Sequence, residues 1–567
     1  MCGENEQRAT GNLEGIGGRD HDVTSEYRIF GPPGTGKTTN LTRQIGRAVD
    51  RYGPDSILVT SFSRAAAAEL AGRDLPIAPD RVGTLHSHCW HALGGPEIAE
   101  ANVEEWNKDN PSLWITPQKK RGKLDGEESE EDAGDQEKSG DAVLQRLGRF
   151  RGMMQPRGAW PAELIRFEQK WTAYKQANGL LDFADLIETA WRDVAIAPRN
   201  PSVIFADEAQ DLNRMQLSLV RKWGEHASYF IVAGDDDQTI YSFTGASPEA
   251  FLDPDIPDDH KIVLKQSYRV PRAVHRLAET LIRQVGRRQA KEYLPRPEDG
   301  ALDRLGRFDT YNRSEYGILK TATEHLERGQ TVMFLASCSY MLRPLVAVLR
   351  KHGIAFHNPY RKSNGFWNPL RMGNRGSTPA RILALLIGHP DYGPEHRPWT
   401  HGDLASWAEL LKAQGVLRHG VKSKLKTGDV TAAVTMEHLV DLFEPDALDQ
   451  MMGAWDAGYR ELLDWWRSRL MEEARKRATF PADIAAKRGP GALLETPRAV
   501  VGTIHSVKGG QADVVYLFPD LSQAGDAHYA HGGAARDSVV RQFYVGATRA
   551  RERLYICGRA STMAVTI

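Results

Sequence analysis

Short apolar runs that stop abruptly at polar residues alternate along this chain with stretches in which apolar positions return every three or four residues. Tyr27–Phe30 and the starts of Val203–Asp211 and Tyr229–Ala246 predict buried strands, as does Thr331–Tyr340. Thr39–Val49, Ala162–Tyr174, Phe183–Val194 and Ala380–Ile387 predict helices. Leu448, Met452, Trp455, Tyr459, Leu462, Trp466 and Leu470 continue the helical spacing and predict one amphipathic helix whose aromatic stripe is core rather than a ladder for stacking bases. Two stretches break the pattern. Arg121–Asp141 is acidic and almost without apolar residues, which predicts a solvated, disordered loop inside a helical insertion. Ser363–Pro379 is rich in Gly, Asn and Pro and reads as loop. There is no internal repeat.

The chemistry begins where the first strand meets the first helix, in "GPPGTGKTT", Gly31 to Thr39. Backbone amides at a helix N-terminus and the positive end of its dipole both favour polyphosphate. Gly31, Gly36, Lys37 and Thr38 complete the P-loop pattern, in which Lys37 reaches the β- and γ-phosphates and the Thr38 hydroxyl holds Mg²⁺. Pro32, Pro33, Gly34, Thr35 and Thr39 fill the rest of the cradle. The alternative, a turn that uses glycine only to turn, weakens further along the chain. "VIFADEAQD" ends a strand in two carboxylates: Asp207 to anchor Mg²⁺ and Glu208 to accept a proton from attacking water. "YFIVAGDDDQTIYSFTGA" ends another strand in acids and a glutamine. Two such strands beside one P-loop imply a parallel sheet whose C-terminal edge collects the reacting groups.

Composition sets limits on the rest. With 567 residues the chain predicts roughly three or four structural units. Lys plus Arg number 73 against 74 Asp plus Glu, so any nucleic-acid site must be a local patch. Cys2, Cys89, Cys338 and Cys557 are far apart, which argues against a disulfide framework or zinc ribbon and for a reducing compartment. No stretch approaches the ~18 apolar residues of a membrane span, nor does the N-terminus carry an apolar signal core, so a soluble, cytoplasmic protein without membrane partners is expected. "HSHCWH", His86 to His91, crowds its possible metal ligands into six residues without a distant pair.

Taken in order, the motifs resemble those of the UvrD/Rep/PcrA group of superfamily 1 DNA helicases, from Gly31 to Thr548. "VTSFSRAAAAEL" resembles motif Ia, "GTLHSHCW" Ib, "LKQSYRVP" IV, "VVGTIHSVKGGQADVVYL" V and "RQFYVGATRARERLYI" VI; "NGLLDFADLI" is similar to the segment before the DExQD motif. The resemblance implies an α/β protein of two RecA-like P-loop motor domains with parallel sheets, each carrying a mainly helical insertion. It divides the chain into an extension (1–23), a first motor domain (24–95 and 196–270) with an insertion at 96–195, and a second motor domain (271–375 and 497–567) with a compact insertion at 376–496.

It also implies roles. Gln238 would sense the γ-phosphate, Arg269 and Arg549 would be arginine fingers, Tyr268 would stack on adenine, and Gln511 would lie near the ribose. Phe62, Tyr241 and Phe243 match base-stacking positions, with Arg64, His86 and His505 as polar DNA contacts. Read without the motifs, all three aromatics are better taken as core residues. The chain departs from the pattern in several places. No adenine-reading glutamine is evident before the P-loop; Thr244 replaces an arginine in "FTGA"; Gly510-Gln511 stands where Leu-Glu is usual; and Thr331–Tyr340 lacks a following arginine. The chain ends soon after motif VI, leaving no room for a nuclease domain. The implied function is an ATP- and Mg²⁺-dependent single-stranded DNA translocase and helicase acting on single strands and tailed duplexes, moving 3′ to 5′. The alternative is an ATP-dependent DNA-binding switch or loading factor without processive unwinding. Protein partners are not legible.

Overall fold

The computed structural model describes residues 26–73, 75–118, 139–361, 365–373, 376–426 and 429–567. The extension 1–23, most of the stretch before the P-loop and residues 121–138 of the acidic segment lie outside them. Six strands form a first sheet: β1 (Glu26–Phe30), β2 (Ile57–Ser61), β3 (Val82–Thr84), β4 (Val203–Asp207), β5 (Tyr229–Gly234) and β6 (Lys261–Val263), in the order β3-β2-β4-β5-β1-β6. Every pair is parallel, with Ile57 opposite Val203, Ser61 opposite Asp207, and Phe30 opposite Gly234. Six more strands make a second sheet: β7 (Ala301–Arg304), β8 (Val332–Ala336), β9 (Phe356–His357), β10 (Ala499–Thr503), β11 (Ala512–Leu517) and β12 (Ala550–Ile556), in the order β7-β12-β11-β8-β10-β9. Its pairs β7–β12, β11–β12 and β9–β10 are parallel. The expected mixed α/β architecture with two sheets of parallel strands is therefore present.

The chain falls into two compact units, one formed from residues up to 307 with 335–340 and 503–567, the other from 308–334 and 341–502. In the first unit the central strands are apolar from Val203 to Ala206 and from Phe230 to Ala233, because both faces of the sheet are covered. Helix Lys37–Tyr52 lays Leu41, Ile45 and Ala48 on Ile57, Val59, Val203 and Phe205. On the other face Leu85, Leu186, Val220 and Trp223 pack on Leu58, Ile204 and Val232.

The segment between β3 and β4 has its own core, in which Trp106 meets Trp171 edge-on at 5.0 Å, near Phe167. Its helices include Ser139–Gly152, Ala162–Asn178 and Phe183–Asp193. Ser139–Asp141, expected in loop, instead opens the first of these, and the Asp141 carboxylate accepts from the Thr116 N–H and hydroxyl at 2.8 and 2.7 Å.

In the second unit the stripe from Leu448 to Leu470 is two helices, Pro445–Ala457 and Tyr459–Ser468, rather than the one expected. Gly458 between them sits at φ 135°, a conformation only glycine adopts readily, and ends the first helix without disturbing the apolar spacing. Leu448, Leu462, Trp466 and Leu470 are buried, and the Trp466 indole N–H donates to the Trp407 carbonyl at 2.9 Å, so the stripe is core. No helix among the described residues is long and apolar enough to cross a membrane.

Candidate functional site

The neighbours β1, β4 and β5 all end at one edge of the first sheet, and each hands its next residues to the same place. β1 delivers the P-loop, closed by the Gly31 N–H donating to the Gly234 carbonyl at 3.0 Å and by Thr35 donating from N–H and hydroxyl to the Pro32 carbonyl at 3.2 and 2.8 Å. Gly34 and Gly36 have φ near +75°. A Cβ on Gly31 would lie 2.8 Å from Lys37 Cβ, and one on Gly34 would lie 2.4 Å from Arg269 Cβ, so the loop tolerates no side chains there. Helix Lys37–Tyr52 begins directly from it without a side-chain cap, leaving the first-turn amides to an anion.

β4 delivers Asp207, which is buried, and Glu208, whose φ of +50° turns its carboxylate back over the loop. Lys37 Nζ donates to Glu208 Oε1 at 2.6 Å and lies 3.9 Å from Asp207 Oδ1. Gln210 Nε2 donates to the other Glu208 oxygen at 2.5 Å. Burial alone would raise the Glu208 carboxyl, but the charges of Lys37 and Lys508 hold it down at about 2. Burial likewise opposes the Lys37 charge, and Glu208 with Asp207 raises it well above the ordinary lysine range. The donor set fits a magnesium-bound triphosphate: a glycine cradle of amides, one ammonium, the Thr38 hydroxyl and the Asp207 carboxylate. Thr39 faces elsewhere, accepting from Arg73 at 3.2 Å.

β5 delivers Gln238, whose amide N–H donates to Asp235 at 2.8 Å and whose carbonyl accepts from Arg549 at 3.1 Å. Arg549 is 1% exposed, pinned to the carbonyls of Val545 and Gly510. Arg269 donates to Gln511 Oε1 at 2.9 Å. Tyr268 is held by its N–H on the Gly34 carbonyl at 2.8 Å while its ring is 75% exposed, available to stack on a flat group above the loop. Sequence reasoning missed two members of this constellation. Lys508 donates to Asp211 and to the main-chain carbonyl of Gln238 at 2.9 Å, and stands 5.1 Å from the Tyr241 ring centre. Both residues lay inside quoted motifs, but nothing in their spacing paired them. Burial pushes the Asp211 carboxyl up to about 7 despite Lys508, aided by the charge of Glu208.

Through Lys508 this site adjoins the aromatics. Phe62 and Tyr241 lie 5.1 Å apart, Tyr241 and Phe243 5.8 Å, and Phe243 and His505 5.7 Å. His505 bonds the Ile240 carbonyl at 3.0 Å, and the Tyr241 hydroxyl donates to the His505 carbonyl at 3.4 Å. Phe243 is 8% exposed. Thr244, where an arginine was expected, donates to the Tyr241 carbonyl at 2.8 Å and closes the turn. His86 lies edge-on to Phe183 at 6.0 Å and lines one cavity with Phe62 and Thr244, and burial lowers its imidazole to about 4. Arg64 opens helix Arg64–Ala71, and its side chain lies outside the described residues. His88 bonds the Val59 carbonyl at 3.1 Å and His91 lies edge-on to Trp90.

Residues 20–256 match the family described as the UvrD/REP helicase N-terminal domain, and residues 498–557 the UvrD-like helicase C-terminal domain. Together they take in more than half of the chain. The ATP-dependent DNA helicase Rep of Buchnera aphidicola is 26% identical over 280 residues, 46% of this chain and 41% of the relative. The ATP-dependent DNA helicase PcrA of Staphylococcus aureus is 23% identical over 285 residues, 46% and 38%. The Bacillus subtilis protein YjcD is 24% identical over 285 residues, 46% and 37%. The chain thus spans about two-fifths of the length of the curated relatives it matches. The N-terminal and C-terminal domain models of this helicase family match the chain in sequence order, and the chain belongs to the UvrD/Rep family of helicases.

Proposed function

We propose that this protein is an ATP hydrolase that drives movement along single-stranded DNA, and thereby unwinding, in the 3′ to 5′ direction. The observation that carries the reading is the continuous contact from the P-loop Lys37 through Glu208 and Lys508 to the Tyr241 ring, which gives phosphate chemistry a physical route to an aromatic track. Lys37 and the loop amides bind the triphosphate. Thr38 and Asp207 would hold Mg²⁺, which supplies charge neutralisation at the phosphate oxygens. Glu208 accepts the proton of the attacking water, Gln238 senses the terminal phosphoryl group, and Arg269 and Arg549 stabilise the charge that spreads over it. Gln511, hydrogen-bonded to Arg269, is assigned to the ribose.

On the DNA side Phe62, Tyr241 and Phe243 stack bases, which suits a motor indifferent to sequence, and His86, His505 and Arg64 supply polar contacts. The proposed division into motor domains at 24–95 with 196–270 and at 271–375 with 497–567 puts Gln238 on one and Arg549 on the other, so the site is complete only when both contribute. The test is strand displacement on duplexes with a 3′ or a 5′ single-stranded tail. ATP-dependent unwinding of the 3′-tailed duplex is expected. Hydrolysis stimulated by single strands with unwinding of neither substrate would favour a switch or loading factor instead.

A further inference from the structure

The turn after β5 places Asp235, Asp236 and Asp237 side by side, at 0, 0 and 1% exposure. Three adjacent buried carboxylates repel one another and have lost their water, so the turn requires cations. It receives them from residues 288–291, more than fifty positions away. Lys291 Nζ, itself 1% exposed, lies 2.8, 2.5 and 2.9 Å from carboxylate oxygens of Asp235, Asp236 and Asp237. Arg288 forks onto Asp237 at 2.9 and 2.5 Å, and the Gln289 N–H donates to Asp236 at 2.8 Å. Burial and the neighbouring acids still push Asp236 up to about 6, while Asp237 is held low by Lys291 and Arg288 against its own burial.

The consequence reaches the phosphate site through one side chain. An ionised carboxylate only accepts and a guanidinium only donates, so with Asp235 on one side and Arg549 on the other the Gln238 amide fits in one orientation alone. That orientation lasts while the Asp235 carboxylate stays in place, and the Lys291 ammonium, 2.8 Å from its Oδ1, holds it there. The chain just after it is tied to the segment that carries Arg269: Ser267 N–H donates to the Leu294 carbonyl and Leu294 N–H to the Lys265 carbonyl, both at 2.8 Å, just before Tyr268 and Arg269.

We infer that Lys291, assisted by Arg288, is a positioning residue for hydrolysis, locking Asp235 so that Gln238 presents its carbonyl to Arg549. The inference rests on the reading of Gln238 as the phosphoryl sensor, and the experiment separates the two. In Lys291→Met, DNA-stimulated kcat for ATP should fall by roughly tenfold or more, in the range lost with a preorganised polar contact, while KM and the affinity for a fluorescent ATP analogue stay within about twofold. Lys291→Arg should recover most of the loss. The double variant Gln238→Ala/Lys291→Met should be no slower than Gln238→Ala alone, because Lys291 acts through that amide.

A kcat for Lys291→Met within about twofold of wild type, beside a slow Gln238→Ala, overturns the inference and leaves the reading standing. Losses that multiply in the double variant overturn it too. An unaffected Gln238→Ala overturns both. If Lys291→Met does not fold, Asp235→Asn and Asp236→Asn decide. Only the first touches Gln238, so only the first should slow turnover, and equal effects of the two would assign the cluster to folding alone.

Discussion

At the scale of single residues, the phosphate site was legible because its chemistry dictates side chains at fixed spacing. Lys37, Asp207 and Glu208 are each the residue type their proposed task needs, and the structure brings them together at one sheet edge, whereas the Thr39 hydroxyl accepts from Arg73 instead. Lys291 was illegible for the opposite reason. "GRRQAKEY" reads as a solvated basic run, and its partners lie in another motif with no pattern linking them. The prediction at this scale follows from the separate tasks of two residues that now share a hydrogen bond. Lys37→Ala should lose nucleotide binding and turnover together, whereas Glu208→Gln should keep the nucleotide and lose turnover by roughly 10²- to 10⁴-fold, the contribution of a positioned base. Turnover and nucleotide affinity measured separately check this; near-normal turnover in both variants would sink the site.

Elements were legible where one periodicity ran uninterrupted, as in helices Ala162–Asn178 and Phe183–Asp193, and less so where a single backbone angle decided, as at Gly458. What periodicity could not convey was the charge buried among those helices. Lys175 donates to Asp182 and Asp185, both at 2.5 Å, and Arg151 reaches Asp182, Asp185 and Glu188. Glu100, 6% exposed, has one oxygen accepting from the Phe183 N–H at 3.1 Å. Burial, with Asp182 nearby, lifts its carboxyl from the ordinary 4.5 to about 8. Between those values the folded chain keeps a proton that the unfolded chain has released, so stability falls as pH rises through that window. Glu100→Gln should remove this slope: its Tm relative to wild type should climb from about pH 5 to about pH 8. A difference in Tm that stays constant over that interval would mean that Glu100 is ionised in the folded state.

For the whole molecule, one parallel sheet followed from strands that end in polar reacting groups, and the second rested on the ordered motifs; the helical packing between β9 and β10 carries no such chemistry and was only coarsely legible. A formal net charge of −1 gives the protein no general attraction for nucleic acid, so binding rests on local contacts. Single-stranded DNA should therefore stimulate hydrolysis strongly at low salt, and less as phosphate contacts lose their counterion advantage. Phe243→Ala should weaken that stimulation by about 1 to 3 kcal/mol of stacking while sparing the basal rate. A basal rate indifferent to single strands at low salt would exclude the motor.

The hydrogen bond between Lys37 and Glu208 then acquires a meaning for how the protein runs. On the proposed function, incoming phosphate and Glu208 would be rivals for one ammonium, making Glu208 a tethered competitor that nucleotide must displace before the carboxylate can serve as base. Part of the binding free energy would then go into that exchange, which would lift the apparent KM and keep turnover responsive to ATP supply instead of saturated.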